Sequence, residues 1–143
     1  MSDDVPIIPD RGRVTTHQLR TRTGDGRDMV VESGYILIRG TDMQGNADGT
    51  WNRKDLQFRV GPRWRNTNAF DIVPIVSMTS IMNVNVANNA GWAVDDCRVW
   101  ETQVPTESGI VRELALRCRL AVRDRDGFMF RVNYHVTMIG ELA

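Results

Sequence analysis

The chain has 143 residues, enough for one domain with a sizeable hydrophobic core. Its 18 basic and 18 acidic residues give no net charge, which argues against a general nucleic-acid binder. No apolar run approaches the ~18 residues of a transmembrane helix, and the first residues lack the regions of a secretory signal peptide. We therefore expect no membrane insertion, and a protein that is cytoplasmic or exported without a signal peptide.

The first 28 residues are predicted to form an extended arm or tether, followed by a β domain over residues 29–143. Residues 1–12 are polar and rich in turn formers, which is typical of a loose terminal segment. Residues 13–23 are rich in Thr and have a two-residue periodicity with few apolar side chains. This pattern predicts either an exposed edge strand or an extended tether to another chain.

The next stretches predict two strands and two loops. Residues 29–39 predict a strand with a bulge at Ser33-Gly34, and residues 40–50 predict a loop because they are rich in Gly, Asn and Asp. Residues 55–60 alternate in polarity and predict a second strand, and residues 61–68 predict a loop rich in Arg and Asn.

Residues 70–86 form the most apolar run of the chain. They predict a central strand that is covered on both faces, or on one face with a subunit contact on the other. The β-branched residues and Pro74 disfavour a helix there. Residues 92–104 predict a further strand.

The strongest pattern spans residues 111–140. Two runs, one ending at Arg123 and the other beginning at Phe128, each alternate apolar and polar side chains. The intervening Asp126-Gly127 is typical of a tight turn, so we predict one long antiparallel hairpin. Together the strands predict an all-β fold, an antiparallel β-sandwich of six to seven strands with an extended N-terminal arm.

Both cysteines, Cys97 and Cys118, lie in strand-like runs. They are interpreted either as two buried thiols or as a cross-strand disulfide.

The catalytic inventory is small. The two histidines, His17 and His135, are far apart in sequence, and no nucleophile, metal-binding or phosphate-binding motif is present. The pair Asp95-Asp96 cannot act on one substrate, because adjacent strand residues point to opposite faces. We predict a protein that is not an enzyme and needs no metal or cofactor.

Binding chemistry is better represented. Trp51, Trp64, Trp92 and Trp100 lie near or in predicted loops, among Asn, Asp and Arg residues. Sugar sites place an aromatic face against the ring and planar polar groups against the hydroxyls. The alternative is that Trp92 and Trp100 are anchors of the core or of an interface.

Five short motifs occur in a suggestive order. They are Val31-Glu32-Ser33-Gly34, Trp51 with Leu56-Gln57-Phe58, Pro74-Ile75-Val76-Ser77-Met78-Thr79-Ser80-Ile81, Gly127-Phe128, and Val136-Thr137-Met138-Ile139-Gly140. Over about residues 30–140 this order resembles the H-type lectin family, the snail-agglutinin-like domains that also occur in bacterial and phage proteins. The resemblance implies a six-stranded antiparallel sandwich that trimerises and binds N-acetylgalactosamine- or galactose-type sugars between protomers.

The family pattern is incomplete in this chain. The Trp-x-Asp-Thr loop before the last strand is absent, and Asn83 is the nearest counterpart of the acidic residue after the Thr strand. The family's Arg near the following strand corresponds to Arg98 or Arg112.

Two functions follow as hypotheses. In the first, the chain is a lectin-like module that binds a glycan or a cell-surface receptor and self-associates, with a trimer expected. Its predicted site lies at a protomer seam and consists of Trp92, Asp95, Arg98, His135 and Asn83. In the second, the chain is a structural subunit of a virion, such as a phage tail or fibre component, and residues 1–28 dock on neighbouring virion proteins.

Overall fold

The computed structural model describes residues 6–39, 43–66, 73–83, 91–123 and 128–143. Seven strands account for most of these residues, and the predicted all-β fold class is confirmed. The elements are a 3-10 turn at Arg11–Arg13, β1 at Val14–Arg22, β2 at Asp28–Leu37, β3 at Asn52–Arg65, β4 at Val73–Asn83, β5 at Gly91–Thr106, β6 at Gly109–Arg123 and β7 at Phe128–Gly140.

The strands form two antiparallel sheets. One has four strands in the order β1-β2-β7-β4, and the other has three in the order β3-β6-β5. Of the two interpretations of residues 13–23, the structure shows the edge strand, since β1 pairs with β2 along its whole length. The predicted arm over residues 1–28 therefore contributes a strand to the sheet.

The two sheets share one hydrophobic core. Buried and more exposed side chains alternate along the central parts of β2, β3 and β6 and along residues 131–140 of β7, as the alternation in the sequence predicts. The rings of Phe58 on β3 and Tyr134 on β7 meet edge to face across the core, with centroids 4.8 Å apart. The largest fully buried side chains are Trp64, Ile36, Met43, Leu56, Leu114, Leu116, Leu120 and Met138.

The predicted hairpin between β6 and β7 is wrong. Both strands lie where the sequence places them, but β6 pairs with β3 and β5, while β7 pairs with β2 and β4. Their connection, residues 124–127 with the predicted turn, lies outside the described residues. The two apolar faces cover each other across the core, whereas a hairpin would place both on the same side. The observed hairpin is β5–β6, with Thr106 opposite Gly109.

Two further expectations about strands need correction. β4 was predicted to be a central strand, but it is the edge strand next to β7. The pairing of β2 also runs through Ser33 and Gly34 without a shift, so there is no bulge. Instead, a Cβ on Gly34 would lie 1.9 Å from the carbonyl oxygen of Thr15, so this glycine allows β1 to approach closely.

β3 is longer than the sequence indicates. It continues to Arg65 through the segment predicted as a loop, with a bulge between Val60 and Trp64. Gly61 has a φ of 72°, which favours glycine, and the irregularity turns Trp64 into the core, where it is fully buried. Trp64 is therefore a core residue and is unavailable to a ligand.

Both terminal segments lie against the outer edge of β3. The N–H of Ile7 donates to the carbonyl of Asp55 at 2.7 Å, and Leu142 forms an isolated bridge to Trp64. These contacts supply partners for backbone groups that an exposed edge would leave to solvent. The described part of the N-terminal segment thus lies on its own domain.

Candidate binding surfaces

The predicted site residues lie on both sheets. Asp95 and Arg98 are exposed on β5, opposite Arg119 and Arg117 of β6, and His135 is exposed on β7. The neighbours of His135 in the strand, Tyr134 and Val136, are buried in the core, so His135 points away from it on the other side of the molecule. Within one chain, the structure brings Asp95 and Arg98 to one face and leaves His135 apart.

The two remaining predicted residues are placed by their backbone only. Trp92 lies opposite Val122 near the start of β5, and Asn83 lies opposite Phe128 at the end of β4. They therefore belong to different sheets. The side chains of Trp92 and Asn83 lie outside what the structure describes.

A bulge in β5 separates Asp95 from Arg98. Asp96 and Cys97 together stand opposite the single residue Cys118 of β6, and Asp96 has a φ of 53°. The two thiols are free, with Cys97 exposed and Cys118 buried. The structure therefore shows neither the disulfide nor two buried thiols.

A cluster of charged groups crosses the outer face of the three-stranded sheet beside the bulge. Arg117 donates to Oδ2 of Asp55 on β3, at 2.7 Å through Nη2 and at 3.3 Å through Nε. Nε of Arg119 donates to Oδ1 of the same carboxylate at 3.2 Å. The guanidinium of Arg117 also lies 5.7 Å from the ring centroid of Trp100, within cation–π range. One carboxylate therefore fixes two arginines on β6 and, through one of them, a contact with an aromatic ring.

We call this surface the Trp100 patch. It consists of Asp55, Asp95, Arg98, Trp100, Arg117 and Arg119. Trp100 is 48% exposed, which is unusual for the largest apolar side chain. Asp95 takes part in no ion pair with any other described residue, so its carboxylate is open to an external donor.

The arginines of the patch lower the pKa of Asp55 within it and of Asp96 beside it. Hydrogen bonds from Arg117, and then from Arg119, hold the pKa of Asp55 below its usual value. The hydrogen bond from Arg98 has the same effect on the pKa of Asp96. Both carboxyl groups therefore stay ionised under mildly acidic conditions, and their ion pairs with the arginines are kept.

A second polar cluster lies inside the fold. The carboxylate of Glu32 is only 2% exposed, and its Oε1 accepts hydrogen bonds from Nε2 of Gln18 at 2.6 Å and from the N–H of Gly61 at 3.0 Å. Its Oε2 accepts from the hydroxyl of Tyr134 at 2.9 Å. Burial raises the pKa of Tyr134, so this hydroxyl keeps its proton and remains a donor.

Glu32 also lines a groove between β1 and β3. The groove has a volume of about 430 Å³, and the N-terminal segment with Ile8 and Pro9 forms one side of it. Because each oxygen of Glu32 already has a donor from the protein, we interpret the cluster as a polar link between the two sheets.

The topology brings the two histidines into one row. His17 of β1 lies opposite Ser33 of β2, which lies opposite His135 of β7, which lies opposite Ser77 of β4. The sequence alone places His17 and His135 far apart. Among the described residues, no group of three or more His, Cys, Asp or Glu side chains could hold a metal ion.

Sequence reasoning missed three members of the Trp100 patch, namely Asp55, Arg117 and Arg119. The sequence does indicate that these side chains face solvent, because Arg117 and Arg119 alternate with buried residues of β6, and Asp55 lies next to the buried Leu56 in β3. What the sequence does not contain is the pairing of β3 with β6, which puts these side chains on neighbouring strands.

The described chain contains no helix long and apolar enough to cross a membrane. Comparison with family models, with curated proteins and with solved structures finds no match for this chain.

Proposed function

We propose that this chain is a non-enzymatic binding module that recognises a glycan, alone or on a cell-surface receptor, through the Trp100 patch. The observation that carries the proposal is the exposed ring of Trp100, held beside Arg117 in a row of planar charged groups. An aromatic face binds the apolar side of a sugar ring, while carboxylate and guanidinium groups pair with its hydroxyls.

The patch supplies these groups in a fixed arrangement. The ion pair with Asp55 holds Arg117 in place before any ligand arrives, which reduces the entropy lost on binding. Asp95 and Arg98 of the predicted site belong to the patch, as an acceptor and a donor for hydroxyl groups. His135 would join them only across a contact between two copies, as the resemblance to H-type lectins implies.

The test compares two substitutions of one residue. We expect Trp100→Ala to weaken glycan binding by at least ~10-fold, whereas Trp100→Phe, which keeps an aromatic face, retains most of it. The measurement is a glycan array followed by titration calorimetry with the sugars that bind. Ile110→Ala is the matched control, because Ile110 is a similarly exposed apolar side chain of the same sheet and lies outside the patch. Absence of binding at ~10 mM monosaccharide and on the array would refute the carbohydrate proposal.

A second proposal is a structural subunit of a larger particle such as a virion, with contacts made by residues 1–28. It is favoured by Ile8 and Leu19, two strongly exposed apolar side chains in the described part of this segment. Deleting the whole segment would remove β1 from its sheet, so point changes are the sharper test. Ile8→Ser should reduce the formation of large assemblies seen by electron microscopy, and wild-type protein that forms none would count against this proposal.

A further inference from the structure

β1 is an outer strand whose free side has no partner among the described residues. The N–H of Thr23, just after β1, donates to the carbonyl of Arg27 at 2.8 Å, and the pairing with β2 continues without a shift. In antiparallel strands the backbone groups of successive residues point to alternate sides. The groups that point away from the sheet therefore belong to Thr16, Gln18, Arg20 and Arg22.

The other edges are covered or interrupted. Ile7 and Leu142 cover the edge of β3. β4 has a proline, Pro74, as its second residue, and its pairing with β7 shifts between Ile81 and Met82. β5 has the bulge at Asp96 and a proline, Pro105. Proline, bulges and covering segments are the devices that prevent one sheet edge from pairing with another. Among the described edge strands, β1 alone has none of these three devices, and its charged residues are Arg20 and Arg22.

We infer that β1 pairs antiparallel with β1 of a second copy of this chain, around a two-fold axis at Leu19. In this register Leu19 faces the partner's Leu19, and Arg20 faces the partner's Gln18. Leu19 is 65% exposed in the single chain, and the pairing covers it with an identical side chain. Leu19 lies at a position without backbone hydrogen bonds across the axis, where opposing side chains approach most closely.

Charge and the leucine contact together favour this register over the two neighbouring ones. An axis at Arg20 would place two arginines directly opposite each other, which is unfavourable. An axis at Gln18 would place Leu19 against the partner's His17 and leave the leucines apart. With the axis at Leu19, each Arg20 lies opposite the partner's Gln18, whose amide oxygen can accept a hydrogen bond. Arg20 makes the same kind of bond with Gln18 of its own strand, at 3.4 Å.

The pairing joins two four-stranded sheets into one continuous sheet of eight strands. Both three-stranded sheets then lie on the same side of it, so the two Trp100 patches face the same direction. Bivalent binding to a surface would follow from this arrangement, and that consequence, unlike the pairing, rests on the proposed function. A two-fold dimer takes the place of the trimer that the lectin resemblance implies.

The oligomeric state tests the inference directly. One strand pair buries less surface than the ~1,200 Å² of a stable interface, so we expect a concentration-dependent dimer of twice 16.2 kDa in analytical ultracentrifugation. Leu19→Lys should raise the dissociation constant by at least ~100-fold, because it removes the apolar contact and opposes two charges. Ile110→Lys is the matched control, since Ile110 is a similarly exposed residue on the other sheet, and it should leave the dimer unchanged.

Crosslinking tests the register. In a Cys97→Ser background, which removes the exposed native thiol, Leu19→Cys should form a covalent dimer under mild oxidation. Gln18→Cys should not, because Gln18 faces the partner's Arg20. A wild-type chain that remains monomeric at ~200 µM, a trimeric mass, a dimer unaffected by Leu19→Lys, or crosslinking through Gln18→Cys in place of Leu19→Cys would each overturn the inference.

Discussion

The hydroxyl of Tyr134 donates to the carboxylate of Glu32 at 2.9 Å, inside the core shared by the two sheets. The same hydroxyl lies 3.2 Å from the hydroxyl of Thr16, which must then be the donor of that second bond. Glu32 also accepts from Gly61 of the opposite sheet, so a single carboxylate connects β1, β2, β7 and β3.

We expect Glu32→Ala to lower the free energy of unfolding by about 3 kcal/mol. The change leaves the N–H of Gly61 and the hydroxyl of Tyr134 buried without their acceptor, and it opens a cavity. Tyr134→Phe should cost less, about 1.5 kcal/mol, because it removes one of the three bonds to Glu32. Urea denaturation measures both, and Glu107→Ala in the exposed β5–β6 turn is the control, within ~0.5 kcal/mol of wild type. Equal stability of Glu32→Ala and wild type would show that the cluster does not stabilise the fold.

Gly61→Ala should destabilise the protein by about 3 kcal/mol for two separable reasons. The φ of 72° disfavours any side chain, and the added Cβ would lie 2.6 Å from the sulfur of Met138. Gly26→Ala separates these causes, because Gly26 has a similar positive φ, of 86°, but has no atom within 4 Å of the added Cβ. Thermal or urea unfolding should therefore show that Gly61→Ala is clearly less stable than Gly26→Ala. Equal losses would mean that the contact with Met138 relaxes without cost.

The positions of the strands could be predicted from the sequence, but their partners could not. The alternation around Leu116 and Val136 identifies β6 and β7 correctly, because a strand with one buried face has a period of two. The same alternation fits strands that pair side by side and strands that face each other. The choice between a hairpin and two opposed sheets depends on contacts far apart in the chain, which local periodicity does not encode.

The candidate site was predictable to the same extent. The sequence identifies Asp95 and Arg98 as polar groups of one strand. It does not identify Arg117 and Asp55 as their neighbours, because that depends on which strands pair. Glu32 can be identified from the local pattern of the sequence. It is a carboxylate at a position of β2 whose side chain faces the core, like those of Val30 and Ile36. Such a group has to be paired, and its position in the sequence predicts a polar link in the core.

The ion pairs of Asp55 should make stability depend on pH in the acid range. The hydrogen bonds from Arg117 hold the pKa of Asp55 below its unfolded value of about 4. The stabilisation is therefore fully present above about pH 4 and is lost as pH falls through the folded-state pKa. Asp55→Asn should be less stable than wild type by about 1 kcal/mol at pH 7, and this difference should shrink as the pH falls below about 4.

The control for this prediction is Asp95→Asn, because Asp95 is exposed and forms no ion pair with another described residue. Its stability at pH 7 should be within ~0.5 kcal/mol of that of wild type. Urea midpoints measured between about pH 2 and pH 7 provide the comparison. A difference between Asp55→Asn and wild type that does not change with pH would show that the arginines do not stabilise the ionised carboxylate.

The two thiols at the β5 bulge should differ in reactivity. Cys97 is exposed, while Cys118 is 1% exposed and stands opposite the bulge. Burial raises the pKa of both thiols, and more strongly that of Cys118, so the fraction of reactive thiolate is small at neutral pH. Iodoacetamide should therefore add one group to the native protein, at Cys97 and faster as pH rises, and a second only after denaturation. Intact-mass measurement with peptide mapping follows both adducts, and rapid modification of Cys118 in the native state would mean that β5 separates readily from β6 at the bulge.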